Sequence, residues 1–271
     1  MDQFVNEWMK HQKQPFREHA QLAMTQPLQT ILSLLDLMQN ENVECTPQER
    51  AQYLELIRMC SLRMYRFIRN VDDAALPPRP LCERTAQDMA KLTRDVFHRA
   101  QPMVERAGCT LILEEEPIRA RAAVNRDEME RILGNLISNA VNVSRFGGVV
   151  TLFVKNCEAG VRIGVRDCGV GMSGEKLAEL LADSGAAGCA GLDGCRRLLA
   201  QMDSRLQGES EMGRGSCFWF DLQAHTAAPE LATSGWERVR HSMGISVLEL
   251  ELSAIIARQE DGESEELPLR A

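Results

Sequence analysis

The chain has 271 residues, which is enough for two compact domains of roughly 100 to 150 residues each. Its net charge of −8 and the absence of a lysine- and arginine-rich run argue against nucleic acid and anionic membranes as partners. No apolar stretch reaches the roughly 20 residues of a membrane span and the N-terminus is polar, so we expect a cytoplasmic protein. Nine cysteines, an odd number without a CxxC pair, favour reduced thiols over disulfides or a zinc site.

The N-terminal part of the chain predicts two helices with a short polar connection. Between Phe16 and Asn40, leucine, isoleucine and methionine recur at helical spacing, and Pro27 lies inside this pattern, where it should bend the helix. The sequence from Thr46 to Glu49 is a capping box with proline at the first helical position, so a second helix begins there. The short connection predicts that this helix folds back antiparallel on the first.

Two helices alone leave their apolar stripes exposed to water. We therefore expect residues 1–76 to be a helical-hairpin dimerisation domain that pairs with a second copy into a four-helix bundle, forming a homodimer. The proline-rich segment 76–80 cannot continue a helix and marks the linker to the next domain.

Residues 81–222 predict an α+β domain, an α/β sandwich with helices on one face of a mixed sheet. The predicted order is helix 84–107, strands 110–116 and 121–124, helix 127–144, strands 149–155 and 161–167, helix 191–202, and strands 204–209 and 216–222. Residues 223–271 form a C-terminal extension. It contains a short amphipathic piece at 236–243, a β-like stretch at 244–252 and an acidic tail that we expect to be disordered.

The helix predicted at residues 127–144 carries a pair of asparagines. Its sequence DEMERILGNLISNA places Asn135 and Asn139 four residues apart, and this spacing puts both on one helical face. An amide oxygen is a ligand that Mg²⁺ accepts. Two exposed helix asparagines would give the same pattern, so the pair gains meaning only from the motifs around it.

Two glycine-containing motifs follow this helix. In VRDCGVGM, Asp167 stands at a strand end, and Gly169 and Gly171 let the backbone turn tightly. In SEMGRGSCF, Ser216 begins the last predicted strand. Each motif alone could be an ordinary turn or hairpin. Their order and spacing after the asparagine helix make a chance combination improbable.

Together, these motifs resemble the ATPase superfamily shared by histidine kinases, gyrase, heat-shock chaperones and mismatch-repair proteins, and residues 16–222 resemble histidine kinases. The resemblance implies a GHKL (Bergerat) fold, ATP and Mg as cofactors, and bacterial two-component signalling. Asp167 would accept a hydrogen bond from the adenine amino group, and Asn139 would bind the Mg²⁺ that bridges the phosphates. The implied nucleotide-binding residues are Asn135, Asn139, Asp167, Gly169, Gly171, Gly191, Leu192 and Ser216.

The phosphoacceptor of the resembled family is missing from the first helix. Alignments on Thr25–Leu28 and on Leu28–Ile31 both place Leu22 where the family carries its histidine, and the first places Ala23 at the neighbouring acid. Leucine has no nucleophilic nitrogen to attack a phosphate. His19, about one turn earlier, is a candidate displaced acceptor, although a solvent-exposed histidine fits its charged neighbours better.

The phosphate end of the resembled site is also altered. Of the GxGLG series expected in the ATP lid, only Gly191 and Leu192 keep their places. Asn142 and Val143 replace the basic and aromatic residues that usually follow the asparagine helix. Arg145 is either a substitute phosphate cation or an exposed helix-end arginine. The adenine end is retained, and binding of ATP and Mg is expected to be weakened or lost.

Three functions remain open at this point. The leading one is a catalytically altered histidine-kinase homologue, a pseudokinase or regulatory dimer that docks a response regulator or partner kinase. The second is an active kinase or phosphotransferase that uses His19. The third is an interaction scaffold that does not bind nucleotide. Only a short stretch precedes the first predicted helix, so we expect the input signal either to come from a partner or to be absent.

Overall fold

The structure is a computed structural model that describes residues 15–40, 45–75, 84–117, 121–182, 190–225 and 246–255, without the side chains of 15–23, 71–75 and 190. Several predicted features lie outside this described part. They are the side chains of His19, Leu22 and Ala23, the linker 76–80, the lid residues 183–189, the amphipathic piece 236–243 and the acidic tail.

Two long helices, α1 (Pro15–Gln39) and α2 (Pro47–Ala75), pack against each other at the N-terminal side of the molecule. The predicted capping box starts α2. The Glu49 amide donates to Thr46 Oγ1 at 3.2 Å, and the Glu49 carboxylate accepts from the Thr46 amide at 2.9 Å and hydroxyl at 2.7 Å. These bonds hold the pKa of Glu49 below its usual value. Within the described helices, none is both long and apolar enough to span a membrane.

A short strand opens the second domain, where the sequence predicted only helix. Residues Thr85–Asp88 form β1, which pairs antiparallel with β3 (Arg121–Val124), and α3 follows at Met89–Arg106. The prediction of helix from residue 84 is therefore wrong at its start. Asp88 caps α3 by accepting a hydrogen bond from the Lys91 amide at 3.0 Å, so the helix begins only after this residue.

The main sheet has five strands in the order β2-β4-β5-β7-β6, in which β2 runs parallel to β4 and the other pairs are antiparallel. Their bounds are Thr110–Glu115 (β2), Val149–Cys157 (β4), Gly160–Asp167 (β5), Gln207–Glu211 (β6) and Gly215–Gln223 (β7). A mixed sheet was predicted, and the structure has one.

Helix α4 (Arg126–Val143) lies against this sheet and forms the centre of the core. Asn125 caps it by accepting from the amides of Asp127 and Glu128, at 3.0 and 3.2 Å. The helix buries Met129, Ile132, Leu133 and Ile137 completely, and the sheet contributes Leu152 and Ile163. Two further helices, α5 (Gly174–Leu181) and α6 (Ala190–Gln201), complete the domain, and of these the sequence predicted only α6.

The C-terminal stretch predicted as β-like contains a helix, α7 (Val247–Leu252), so that prediction is wrong. Ser246 caps this helix by accepting from the Glu249 amide at 3.1 Å. Leu248 and Leu252, one turn apart, join the hydrophobic core on α4. Gly134 of α4 admits the helix, because a Cβ there would lie only 2.7 Å from Glu251 Cβ. Tertiary packing thus overrides a pattern that alternates with period two.

Candidate functional site

A cavity of about 1200 Å³ lies between the two N-terminal helices and the α+β domain. Helix α1 contributes side chains such as Gln26, Thr30 and Ser33 to its wall, and α2 contributes Arg63 and Arg66. Of the eight residues predicted to bind nucleotide, five line this cavity: Asn139, Asp167, Gly191, Leu192 and Ser216. The fold therefore brings together motifs that lie far apart in the sequence.

Asp167, the last residue of β5, is a buried carboxylate in the cavity wall. Its Oδ1 accepts hydrogen bonds from the amides of Gly169, at 2.8 Å, and Ser216, at 3.2 Å. Burial raises the pKa of Asp167, and these two bonds act in the opposite direction. Among the described residues no group donates to Oδ2. This oxygen is available to accept a hydrogen bond from a ligand amino group.

The turn after Asp167 is held against the β6–β7 hairpin. Gly171 has φ +64°, and a Cβ there would collide with the Glu211 carbonyl, so both conformation and space require glycine. The Met172 amide donates to Ser210 Oγ at 2.9 Å, and this hydroxyl lies 2.9 Å from the hydroxyl of Ser216. Gly169 and Gly171 thus shape the turn without lining the cavity themselves.

Apolar side chains surround the carboxylate end of the cavity. They come from β5, α5, α6, β7 and the turn between them, and include Val165, Met172, Leu180, Leu192 and Phe218. A few polar groups set among apolar walls are typical of sites that bind a flat ring and fix its orientation.

The two asparagines of α4 have different environments. Asn139 lines the cavity, and its side chain makes no hydrogen bond with any described residue, so its amide oxygen is open to a ligand. The described residues contain no cluster of three or more histidine, cysteine or acidic side chains suited to a metal. A Mg²⁺ at Asn139 would therefore need oxygens of the bound ligand and water to complete its shell.

Asn135 is almost completely buried and lies outside the cavity wall. Its Oδ1 accepts from Arg66 at 2.6 Å, while its Nδ2 donates to Glu251 at 2.7 Å and to the Arg131 carbonyl at 3.0 Å. The protein itself thus occupies both the acceptor and the donor of this amide. A nucleotide contact at Asn135 remains a prediction that requires these bonds to open.

The sequence did not single out Arg63 and Arg66 as cavity residues. Both belong to α2, which was interpreted from its periodicity alone as a bundle helix. Arg145, the cation that the sequence offers near the phosphates, is exposed and is not part of the cavity wall. The spacing of Arg63 and Arg66, three residues apart on one helical face, was the signal that could have identified them.

The comparisons with known proteins agree with this geometry. Residues 124–226 match the family model described as "Histidine kinase-, DNA gyrase B-, and HSP90-like ATPase". Sporulation kinase C of Bacillus subtilis is 34% identical over 103 residues, which are 35% of this chain and 24% of that protein. The aerobic respiration control sensor protein ArcB of Escherichia coli is 26% identical over 228 residues, 78% of this chain and 29% of ArcB. The chain thus spans less than a third of either relative.

Two solved structures share the fold. Full-length ShkA in complex with AMPPNP has a TM-score of 0.53 at 23% identity, and the match covers 82% of this chain and 46% of ShkA. The Acinetobacter baumannii histidine kinase AdeS has a TM-score of 0.53 at 14% identity, and the match covers 74% and 96%. The sheet, the asparagine helix and the aspartate turn therefore form an ATPase domain of the GHKL type. Residues 124–226 match this ATPase family, and the chain is similar to histidine kinases over the segments aligned above.

Proposed function

We propose that this chain is a signalling protein of the histidine-kinase type that binds ATP in the cavity beside Asp167. The observation that carries the proposal is the hydrogen bonding of the Asp167 carboxylate. One oxygen is anchored by two backbone amides, and the other has no donor among the described residues and belongs to a partly apolar wall. An adenine amino group supplies the missing donor. The AMPPNP complex of the fold relative ShkA supports this choice of ligand.

Magnesium enters this proposal together with the nucleotide. Asn139 would offer one amide oxygen, and the phosphates would supply the negative charge that Mg²⁺ prefers. The cation would neutralise charge on the phosphates and hold them in position. Gly191, Leu192 and Ser216 complete the set of predicted residues that line the same space.

We further propose that the chain acts as a homodimer. Large apolar side chains on the two N-terminal helices stay exposed in the single chain, among them Leu28, Leu32, Leu35, Leu54 and Ile68. Burying such a stripe against a second copy in a four-helix bundle would remove it from water. Light scattering of the purified protein tests this directly, because a monomer at micromolar concentration would contradict it.

The proposed role is regulatory docking of a response regulator or partner kinase, without the usual autophosphorylation. Leu22 stands at the acceptor position of the family, and Asn142, at the position of the usual basic residue, donates instead to the Ala254 carbonyl at 3.0 Å. Both substitutions affect phosphoryl transfer and leave the adenine end unchanged. The alternatives are a kinase that uses His19 and a scaffold without nucleotide.

Two measurements separate these functions. Titration with a fluorescent ATP analogue should show saturable binding that strengthens when Mg²⁺ is added, and no binding in either condition would favour the scaffold. Incubation with γ-labelled ATP should leave no acid-labile label on the chain. Label that appears in the wild type and disappears in His19→Ala would contradict the pseudokinase and establish the displaced acceptor.

A further inference from the structure

The positive charges in the cavity wall come from an unexpected part of the chain. Among the described residues that line the cavity, the cationic side chains are Arg63 and Arg66, both on α2. The ATPase domain contributes Asn142 where the resembled family carries a basic residue. A polyphosphate in this cavity would therefore meet the positive charge of the N-terminal helices.

Arg66 lies at the end of the cavity where phosphates are expected. One of its terminal nitrogens donates to Asn135, one helical turn from Asn139. The same nitrogen would lie 3.5 Å from a Cβ built on Gly191, which is one of the lid residues that keep their place. Arg66 thus stands between the asparagine helix and the start of α6.

Both arginines are held by residues 246–255, which we call the clamp segment and which includes α7. Arg63 donates to the carbonyls of Ser253, at 2.7 Å, and Ile255, at 2.8 Å. Arg66 pairs with the Glu251 carboxylate at 2.7 Å. The clamp segment therefore links α2 to the ATPase domain through the two cations of the cavity.

The two cavity arginines differ in the partners of their charge. Arg63 binds neutral carbonyls, and no carboxylate among the described residues pairs with it. Arg66 pairs with the fully buried Glu251, which Arg69 and Arg131 also contact. Burial lowers the pKa of Arg66 to about 10, which leaves it charged at neutral pH. The charge of Arg63 has no carboxylate partner among the described residues and can pair with a bound anion.

We propose that Arg63 and Arg66 bind the phosphate groups of a nucleotide in this cavity, and that the clamp segment competes with the nucleotide for them. The inference rests on the proposed function, because it presumes a nucleotide beside Asp167. It adds two binding residues outside the ATPase domain and a regulatory segment that holds them. Guanidinium groups suit this role because they form paired, charge-assisted hydrogen bonds with phosphate oxygens.

The chain provides a matched control for these arginines. Arg58 also binds the clamp segment, through an ion pair with Glu249, but it does not line the cavity. Arg63→Met removes a cavity cation together with its clamp contact, whereas Arg58→Met removes a clamp contact and an exposed ion pair with Glu55 but no cavity cation. A purely structural clamp predicts the same effect for both variants, and competition for phosphates predicts different effects.

The first experiment measures the affinities of ATP and adenosine, by competition with a fluorescent analogue, for the full chain and both variants. Arg63→Met should weaken ATP about tenfold, the value of one charge-assisted hydrogen bond, and change adenosine less than about twofold. Arg58→Met should leave ATP affinity at or above the wild-type value. Equal losses for ATP and adenosine in Arg63→Met, or an ATP loss in Arg58→Met as large as in Arg63→Met, would overturn the inference.

The second experiment uses only the wild-type chain, so its result does not depend on whether a variant folds. Hydrogen exchange of residues 246–255 should quicken when ATP is added and stay constant with adenosine. Unchanged exchange in the presence of saturating ATP overturns the competition. If neither ATP nor adenosine binds, the proposed function fails as well. If both bind with equal affinity, nucleotide binding stands and the role of the arginines is rejected.

Discussion

Helix α4 carries two asparagines one turn apart, and one faces an open cavity while the other is buried in an ion cluster. Asn139 belongs to the cavity, where its amide has no hydrogen-bond partner among the described residues. Asn135 belongs to a buried ion cluster, where Arg66 and Glu251 use its acceptor and one of its donors. The residue type and the helix are the same, so the difference comes from what the rest of the chain brings to each position. A polar group whose hydrogen bonds are satisfied by the protein stabilises the fold, whereas a group without such bonds is available to a ligand.

The largest expected effect comes from breaking the ion cluster at its centre. Glu251→Ala removes the buried carboxylate that Arg66 and Arg131 contact, and we expect a loss of about 3–5 kcal/mol in the free energy of unfolding. Urea unfolding followed by circular dichroism measures it. Glu249→Ala is the control, because its ion pair with Arg58 is partly exposed and should contribute less than about 1 kcal/mol. Similar small losses in both variants would show that the cluster does not stabilise the fold.

A second pair of substitutions tests whether the turn at the adenine end is as tightly packed as the ion cluster. Gly171→Ala and Gly213→Ala both place alanine at positive φ, +64° and +78°, which destabilises each by about 1–2 kcal/mol. At Gly171 the new Cβ also meets the Glu211 carbonyl, whereas at Gly213 no atom lies within 4 Å. We expect Gly171→Ala to lose roughly a further 1–3 kcal/mol, measured by thermal unfolding. Equal losses would mean that the turn moves to accept the methyl group.

The third test compares the two asparagines directly. Asn135→Ala deprives Arg66 and Glu251 of hydrogen bonds in the interior, so stability should fall by about 2 kcal/mol. Asn139→Ala should change stability by less than about 0.5 kcal/mol. Its effect should be on ligand binding, as an approximately tenfold loss of the Mg²⁺-dependent part of ATP affinity.

The reverse pattern in this pair would overturn the distinction between them. A stable Asn135→Ala variant with weakened ATP binding would place Asn135 at the ligand and would show that its internal bonds open in solution. Chemical denaturation and nucleotide titration of both variants, each with and without Mg²⁺, provide the complete comparison.

The sequence predicts a region well when the contacts that define it join residues close together in the chain. The capping box at Thr46 and the hydrogen bond from the Gly169 amide to Asp167 join residues three and two positions apart, and such local patterns can be read from the sequence. The Asn135 network instead joins residues 69 and 116 positions away, Arg66 and Glu251. No local pattern encodes such a pairing. The stretch VLELEL illustrates the same limit: its alternation predicts a strand, but contact with α4 at the distant Gly134 packs it as a helix.

The last prediction concerns the pH dependence of the adenine end. Burial raises the pKa of Asp167, so the folded chain holds this proton more tightly than the unfolded chain does. The contribution of Asp167 to stability should therefore fall as pH rises from the ordinary aspartate pKa through the raised one. Affinity for ATP should change in the opposite direction, because the protonated carboxyl loses its capacity as a charged acceptor for the adenine amino group.

Asp167→Asn should remove both pH dependences, since an amide does not titrate in this range. It should also weaken ATP by about tenfold at neutral pH, because an amide is a weaker acceptor than a carboxylate. Asp203→Asn is the matched control, because Asp203 is exposed and its φ of 53° suits asparagine. Titrations between about pH 4 and 7 on these variants and the wild type separate the cases. If Asp167→Asn left the ATP affinity unchanged, Oδ2 of Asp167 would not contact the nucleotide. The proposal that this cavity binds adenine would then be wrong.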